Sequence, residues 1–444
     1  MGHATQSLCP RCLARIPAER CCEGDAVVLV KRCPEHGEFR TTVWRGGPAL
    51  SGWSRPKETV RASVDHPGVE RGCPFDCGIC PEHRQQSCTV LLEVTGRCNL
   101  ACRFCFAAAG QEAGPDPSIE TIAGWYRTAL AKSGPHNIVQ LSGGEPTVRD
   151  DLPAIIALGR ELGFPHIQVN TNGVRLAADP GYAGELKRAG LFSVFLQFDG
   201  TDDAIYRAIR GRALLAEKLT AIEHCAAAGL GVVLVPTVAA GINTENVGAI
   251  LKLALKLGPA VRGVHFQPAS FFGRHPEPPA GEKRITLPDL MRAIEEQTAG
   301  LMRVEQFRPP GCEHPLCSFH GNFLRLPGGG VRPLTEHAPS CCCGTPEEEN
   351  RGTGRAVSFV TRQWAAPAAA DSVAPASLDA FLEDFRTNTF AVSAMAFQDA
   401  WNLDLERVQE CCIHVVAPDG RMVPFCLYNL TSADGEPLYR GKPC

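Results

Sequence analysis

Apolar positions in the middle of the chain follow two alternating spacings. Short β-branched or apolar runs at 89–94, 137–141, 166–170, 192–198, 231–237 and 262–267 have the length and composition of buried strands. Longer amphipathic stretches at 118–132, 152–162, 182–188, 204–228, 245–257 and 287–301 read as helices lying between and after them. Six strand–helix units in series predict an α/β fold. The sheet is expected to be parallel with its helices outside, curved into a partial (β/α)6 TIM barrel, six-eighths of the eight-unit form.

In such a fold the chemistry belongs in the loops that leave the strands. The predicted strands run into TGRCN at 95–99, SGGEPT at 142–147, TNG at 171–173, DG at 199–200, PTV at 236–238 and QP at 267–268. Turn-forming preference alone accounts for TNG or DG equally well. It does not account for cysteines.

The 444 residues include 22 Cys, with 44% hydrophobic and 21% charged residues. That length and composition exclude disorder, collagen and coiled coil, and allow two or three domains. A net charge of -4 offers no basic groove, so no nucleic-acid partner is expected. So many thiols suit either an oxidising compartment or a set of metal sites. The start, MGHATQSLCPRCLARIPAERCC, has no apolar secretory run, so a cytoplasmic location with metal thiolates is expected. The longest apolar stretch, 229–241, is far short of the ~20 residues of a membrane span and contains Pro236, so no transmembrane helix is expected.

The predicted organisation is a rubredoxin-like or zinc-ribbon metal domain at 1–50, an auxiliary-cluster segment at 51–90, the (β/α)6 core at 91–302 and a C-terminal auxiliary-cluster domain at 303–444. A Gly, Pro, Ala and Ser-rich linker at about 344–377 interrupts the last. The densest cysteine group is Cys98, Cys102 and Cys105 in CNLACRFC, with Phe104 before the third thiol. Four cysteines satisfy every iron of a 4Fe-4S cube, so three leave one iron for an outside ligand. The same spacing recurs as Cys73, Cys77 and Cys80, with Cys88 eight residues on, a complete set for 4Fe-4S or for zinc. Near the N-terminus Cys9, Cys12, Cys21 or Cys22, and Cys33 form paired knuckles for one mononuclear iron or zinc, and His36 is able to replace one thiolate. A looser group is Cys312, Cys317, Cys411 or Cys412, and Cys426. Cys225 reads as core, and Cys341, Cys342 and Cys343 are unassigned.

The CxxxCxxC loop after a first barrel strand, followed by Gly143-Gly144-Glu145-Pro146 after the second, resembles the radical S-adenosylmethionine superfamily. That resemblance implies a 4Fe-4S cluster on Cys98, Cys102 and Cys105 whose open iron chelates S-adenosylmethionine. One electron from a flavodoxin- or ferredoxin-type reductant then yields a 5'-deoxyadenosyl radical. It also implies that the GGEP backbone holds the methionine amino group, with Asn170, Asn172, Gln197 and Asp199 as candidates for the ribose, the carboxylate or the substrate.

The order CPRC, CPEHG, GCPFDCGIC, CNLACRFC, GGEPT, CEHPLC and ECCIHVVAPDGRMVPFC resembles one subfamily, which includes archaeal tetraether lipid synthase and pterin methyltransferases. This implies two auxiliary 4Fe-4S clusters and one mononuclear metal. The lead expectation is hydrogen abstraction from unactivated alkyl C–H bonds of membrane lipids and carbon–carbon bond formation, with peripheral membrane contact in that case. The alternatives are a radical C-methyltransferase acting on a pterin, a peptide-modifying maturase, or a non-enzymatic electron carrier.

Overall fold

The computed structural model describes residues 2–55, 69–110, 114–135, 137–278, 283–334, 364–365 and 385–441. The chain begins with a four-stranded antiparallel ribbon of β1 (His3–Leu8), β2 (Arg15–Glu23), β3 (Ala26–Cys33) and β4 (Gly37–Arg45), paired in that order. Lys31 ties the ribbon to the rest of the molecule. Its buried ammonium donates to Ser7 Oγ at 3.1 Å, to the Leu8 carbonyl at 3.0 Å and to the Ala400 carbonyl at 2.6 Å, using all three of its donors.

The predicted strand–helix alternation is present. Its strands are β5 (Thr89–Thr95), β6 (Ile138–Gly143), β7 (His166–Thr171), β8 (Ser193–Gln197), β9 (Gly231–Val235), the two-residue β10 (Thr237–Val238) and β11 (Val261–Pro268). Helices α1 (Ile119–Ser133), α2 (Leu152–Glu161), α3 (Val174–Ala178) and α4 (Tyr182–Arg188) follow the first strands. The single helix expected at 204–228 is two, α5 (Asp203–Arg210) and α6 (Leu215–Ala227). Gly211 ends α5 in the left-handed region at φ 85°, and Asp203 Oδ1 accepts the Leu214 and Leu215 amides at 2.9 Å each to start α6. This break delivers Arg210 inward. Helices α7 (Val247–Lys256) and α8 (Leu287–Gln297) complete the outer layer.

The region after 303 joins the same sheet. It supplies β12 (Ser318–Arg325), β13 (Val331–Pro333), β14 (Thr389–Met395), β15 (Ile413–Val416) and β16 (Met422–Pro424), giving the order β13-β12-β14-β11-β9-β8-β7-β6-β5-β15-β16. From β14 to β15 all eight adjoining strands are parallel. The expected series of six is thus extended at both edges by C-terminal strands. Of the 344–377 linker only Trp364 and Ala365 lie within the described residues.

Strand alternation gives the sheet two chemically different faces. Val90, Leu92, Val139, Leu141, Val169, Val194, Val232 and Leu234 are buried in the main apolar core. Residues of opposite parity, among them Leu91, Gln140, Asn170, Phe195, Gln197, His265 and Ser393, line one cavity of about 1290 Å³. Among the described residues no helix is long and apolar enough to cross a membrane.

Candidate active site

Cys98, Cys102 and Cys105 leave the C-terminal end of β5 and line this cavity together with Phe104, Gly143 and Gly144. The loop is tied down by main-chain bonds to distant elements. The Arg103 amide donates to the Ile209 carbonyl at 2.9 Å, and Cys105 exchanges bonds with Arg274 at 2.8 and 2.9 Å. Arg274 Nε also donates to the Cys102 carbonyl at 2.6 Å. The Leu100 amide points at Cys98 Sγ, 3.4 Å away. Burial pushes the Cys98 thiol up to about 12, so the metal-free side chain is protonated and a bound cation is what would make it a thiolate. Three convergent thiols and no fourth in the loop fit a cube with one free iron.

The two glycines of GGEP are demanded by crowding. A Cβ on Gly143, whose φ is 119°, would stand 2.2 Å from the Thr95 carbonyl oxygen, and one on Gly144 2.0 Å from that of Arg97. The Gly144 and Glu145 amides donate to those same carbonyls at 2.7 and 2.8 Å, welding the GGEP loop to the cysteine loop.

The side chains of three residues expected near the cofactor are engaged within the protein or turned from the cavity. Glu145 borders the cavity, but its buried carboxylate accepts the Thr147 amide and hydroxyl, the Thr171 hydroxyl at 2.6 Å and the Asn172 amide at 2.6 Å. Pro146 is buried at the first position of a short 3-10 turn, outside the cavity wall. Asp199 is fully buried and gripped by Arg210 at 2.6 and 2.7 Å, and also accepts the Thr237 amide at 3.0 Å. Arg210 lines the cavity as one half of this ion pair and reaches the Phe104 carbonyl at 3.1 Å. Arg210 carries no sequence signal, since it falls inside what reads as one helix. Asn170, Asn172 and Gln197 do line the cavity. Asn172 Nδ2 donates to Asn99 Oδ1 at 2.6 Å, and the buried Lys218 ammonium donates to the Asn172 carbonyl.

In the ribbon, the ligand atoms of Cys9, Cys12, Cys33 and His36 all lie within 4.8 Å of one another, which no other set of three or more such side chains among the described residues achieves. Cys12 and Cys33 sulfurs are 3.9 Å apart, and His36 Nδ1 is 3.6 Å from Cys9 Sγ and 3.5 Å from Cys33 Sγ. Zn–S and Zn–N bonds in a tetrahedron give edges of roughly 3.8 Å between sulfurs and 3.6 Å between sulfur and nitrogen. The four residues fit one zinc ion. This corrects the expectation for Cys21 and Cys22: both lie on β2 opposite Val28 and Val27, and Cys22 is exposed.

The remaining thiols regroup as well. Cys73 and Cys77 are buried together, with Cys80 beside them, and Tyr439 closes the loop by accepting the Cys77 amide at 2.9 Å and donating to the Pro74 carbonyl at 2.6 Å. Cys444 lies outside the described residues, as do Cys341 to Cys343. Cys88 does not join that loop. It precedes β5, and β5 pairs with β15 from Ile413 onward, so Cys88 meets Cys412 at 3.1 Å between sulfurs. Of the expected set of Cys312, Cys317, Cys426 and one of the Cys411/Cys412 pair, Cys317, Cys426 and both members of the pair border one small internal cavity, and Cys312 lies beside Cys412. Cys225 is buried in α6, as expected of a core residue.

Residues 92–254 match the Radical SAM superfamily, and residues 1–45 match the HMPTM N-terminal zinc ribbon domain. The 7,8-dihydro-6-hydroxymethylpterin dimethyltransferase of Methanocaldococcus jannaschii is 35% identical over 474 aligned residues, which cover 97% of this chain and 94% of that protein. This chain belongs to that enzyme's family. It is a radical SAM enzyme, and its cofactors are a 4Fe-4S cluster and S-adenosylmethionine. The lipid synthase expectation is not what this whole-chain relative carries. Another relative, GTP 3',8-cyclase of Paenarthrobacter nicotinovorans, is 30% identical over 195 residues, 43% of this chain and 54% of its own length. The Streptococcus suis SuiB structure with bound S-adenosylmethionine matches 49% of this chain and 48% of its own at 16% identity, with a TM-score of 0.40.

Proposed function

We propose that the enzyme transfers methyl groups to carbon on a reduced pterin of the 7,8-dihydro-6-hydroxymethylpterin type, within a parallel sheet curved as a partial barrel. The observation that supports this reading is a group of polar side chains set in a wall that also carries Leu91, Phe195, Phe272 and Phe397. Gln140, Asn170, Gln197 and His265 line the cavity and supply hydrogen-bonding groups that an alkyl chain alone would not use. Gln140 and Asn170 are linked at 3.3 Å, and these side-chain amides carry both donors and acceptors of the kind the amino-pyrimidine edge of a pterin pairs with. Burial lowers the His265 ring to about 4, so it is neutral at pH 7 and offers a hydrogen bond without a charge.

When bound, the 4Fe-4S cluster and S-adenosylmethionine supply a carbon radical able to open an unactivated C–H bond. The chain's own residues position and protect. The welded 95–97 and 143–145 loops fix the cofactor seat, the Arg210–Asp199 pair braces the Phe104 carbonyl, and Phe104 and Phe272 keep apolar surface at that end of the cavity. A low-potential flavodoxin or ferredoxin as electron donor, and a reducing cytoplasmic setting, complete the reading.

The test is anaerobic reconstitution with reductant, S-adenosylmethionine and 7,8-dihydro-6-hydroxymethylpterin, followed by mass spectrometry of the pterin. Methylated pterin is expected, and none from Cys98→Ala. Formation of 5'-deoxyadenosine with the pterin mass unchanged would overturn the substrate assignment. Coupled alkyl products in lipid extracts of an expressing host would restore the lipid reading.

A further inference from the structure

Arg274, in the loop that follows β11, holds the cysteine loop at three places. Its main chain exchanges hydrogen bonds with Cys105 at 2.8 and 2.9 Å. Its side chain reaches to either side of that contact, with Nε donating to the Cys102 carbonyl at 2.6 Å and a terminal nitrogen to the Ala109 carbonyl at 3.1 Å. Gly273 permits the approach. Its φ is 64°, and a Cβ there would stand 2.4 Å from the Phe106 carbonyl oxygen and 2.5 Å from that of Cys105. The earlier part of the same loop is anchored elsewhere: Ser270 Oγ donates to the Phe397 carbonyl at 3.0 Å and the Phe271 amide to Asp399 Oδ2 at 2.9 Å. Ser270 and Phe272 also line the large cavity.

Charge sets Arg274 apart from its neighbours. Two other arginines lie close to these thiols, Arg210 to Cys102 and Arg440 to Cys105. Each is matched by a carboxylate, Arg210 by Asp199 at 2.6 and 2.7 Å and Arg440 by Glu93 at 2.7 and 2.5 Å. The side-chain bonds of Arg274 go to carbonyls, and it forms no ion pair among the described residues. Its positive charge is therefore not cancelled locally. Net charge and hydrogen bonding around an iron–sulfur cluster set its potential, and an unmatched cation favours the form that carries one more electron.

We propose that Arg274 is a positioning residue for radical generation, fixing the span from Cys102 to Ala109 and lending an unmatched positive charge to the cluster on Cys98, Cys102 and Cys105. In the step it assists, one electron passes from a reduced flavodoxin- or ferredoxin-type carrier to the cluster. The carrier is oxidised by that same electron, and no bond forms or breaks. The two roles are separable, because lysine keeps the charge but lacks the planar fork that reaches two carbonyls. Neither role depends on which substrate fills the cavity.

The test compares the full chain as wild type, Arg274→Lys, Arg274→Gln and Arg274→Met, each reconstituted anaerobically without pterin. Iron analysis reports cluster retention, and a redox titration followed by electron paramagnetic resonance gives the midpoint of the signal that Cys98→Ala removes. Midpoints should sort by charge, with Arg274→Lys close to wild type and Arg274→Gln and Arg274→Met shifted together toward more negative potential. Affinity for S-adenosylmethionine, read from the change it produces in that signal, should sort by geometry and weaken several-fold in all three variants. Four equal midpoints, or a shift in Arg274→Lys as large as in Arg274→Met, overturn the charge role. Unchanged affinity in all three overturns the positioning role. If Arg274→Met does not fold, Arg274→Gln against Arg274→Lys makes the same comparison. Iron loss from Arg274→Lys as well as from the neutral variants would reduce the residue to a structural clamp and also overturns it.

Discussion

Glu145 Oε2 accepts the Asn172 amide at 2.6 Å, so the carboxylate of the GGEP motif holds the loop after β7 against the loop after β6. The second oxygen takes two threonine hydroxyls and an amide. All its partners are donors, and every one is buried or nearly so. A glutamine here would turn an NH2 group toward donors, and a buried donor left facing donors costs about 1–3 kcal/mol. Glu145→Gln should lower the thermal midpoint by several degrees and weaken S-adenosylmethionine binding about tenfold, with iron at Cys98, Cys102 and Cys105 retained. Equilibrium dialysis with iron analysis separates these effects, and unchanged affinity would show that Asn172 does not need the brace.

Asp199 and Arg210 form a bidentate pair in which both side chains are buried. Arg210 is also held at Thr237 Oγ1, 2.9 Å away. Removing one partner of such a pair strands the other, at about 3–5 kcal/mol. Arg210→Met should therefore be strongly destabilising in urea unfolding. The double variant Arg210→Met with Asp199→Asn should recover part of the loss, because the stranded carboxylate is gone. Equal stability of single and double variants would mean that the pair is not coupled.

The ribbon makes a cleaner prediction about metal. Cys21→Ser and Cys22→Ser should retain one zinc per chain, while His36→Ala and Cys9→Ser should lose it, as measured by elemental analysis after dialysis against a chelator. His36 stands three residues after Cys33 at the turn into β4, where its Nδ1 is 3.5 Å from that sulfur. Zinc loss from Cys22→Ser would restore the four-cysteine set.

The strand ends, the CxxxCxxC loop and GGEP all fall where short apolar runs and glycines in the sequence place them, because those signals are local. Features set by pairing between distant segments are not legible in the same way. Cys88 reads as the fourth member of the loop that precedes it, yet parallel pairing of β5 with β15 carries it to Cys412, more than three hundred residues away. Arg210 is hidden for a related reason. A helix break at Gly211 turns what reads as the middle of one amphipathic helix into the end of another, and the terminal arginine swings into the cavity. Glu145 and Asp199 are recognisable from their spacing as carboxylates near the rim. That they are consumed by internal donors depends on the loops around them, which no spacing encodes.

Lys218 supplies a pH signature. Its side chain is fully buried, its ammonium donates to the Asn172 carbonyl and lies 3.5 Å from Gln197 Oε1, and burial lowers it from the ordinary 10.5 to about 8. Between those two values the folded chain binds fewer protons at this site than the unfolded chain does. Folding therefore gains from this lysine as pH rises from about 8 to 10.5, and the burial penalty is present in full below 8. Because Lys218→Met has no such site, wild-type stability relative to that variant should climb across this window by up to about 3 kcal/mol, a shift of 2.5 pH units converted at 1.36 kcal/mol each. Urea midpoints of the two proteins at pH 7.5 and pH 10 provide the comparison, with the difference taken at each pH so that other titrations cancel. A difference that stays flat, or that falls with pH, would mean that Lys218 keeps its proton through the window and that its bond to Asn172 remains charged.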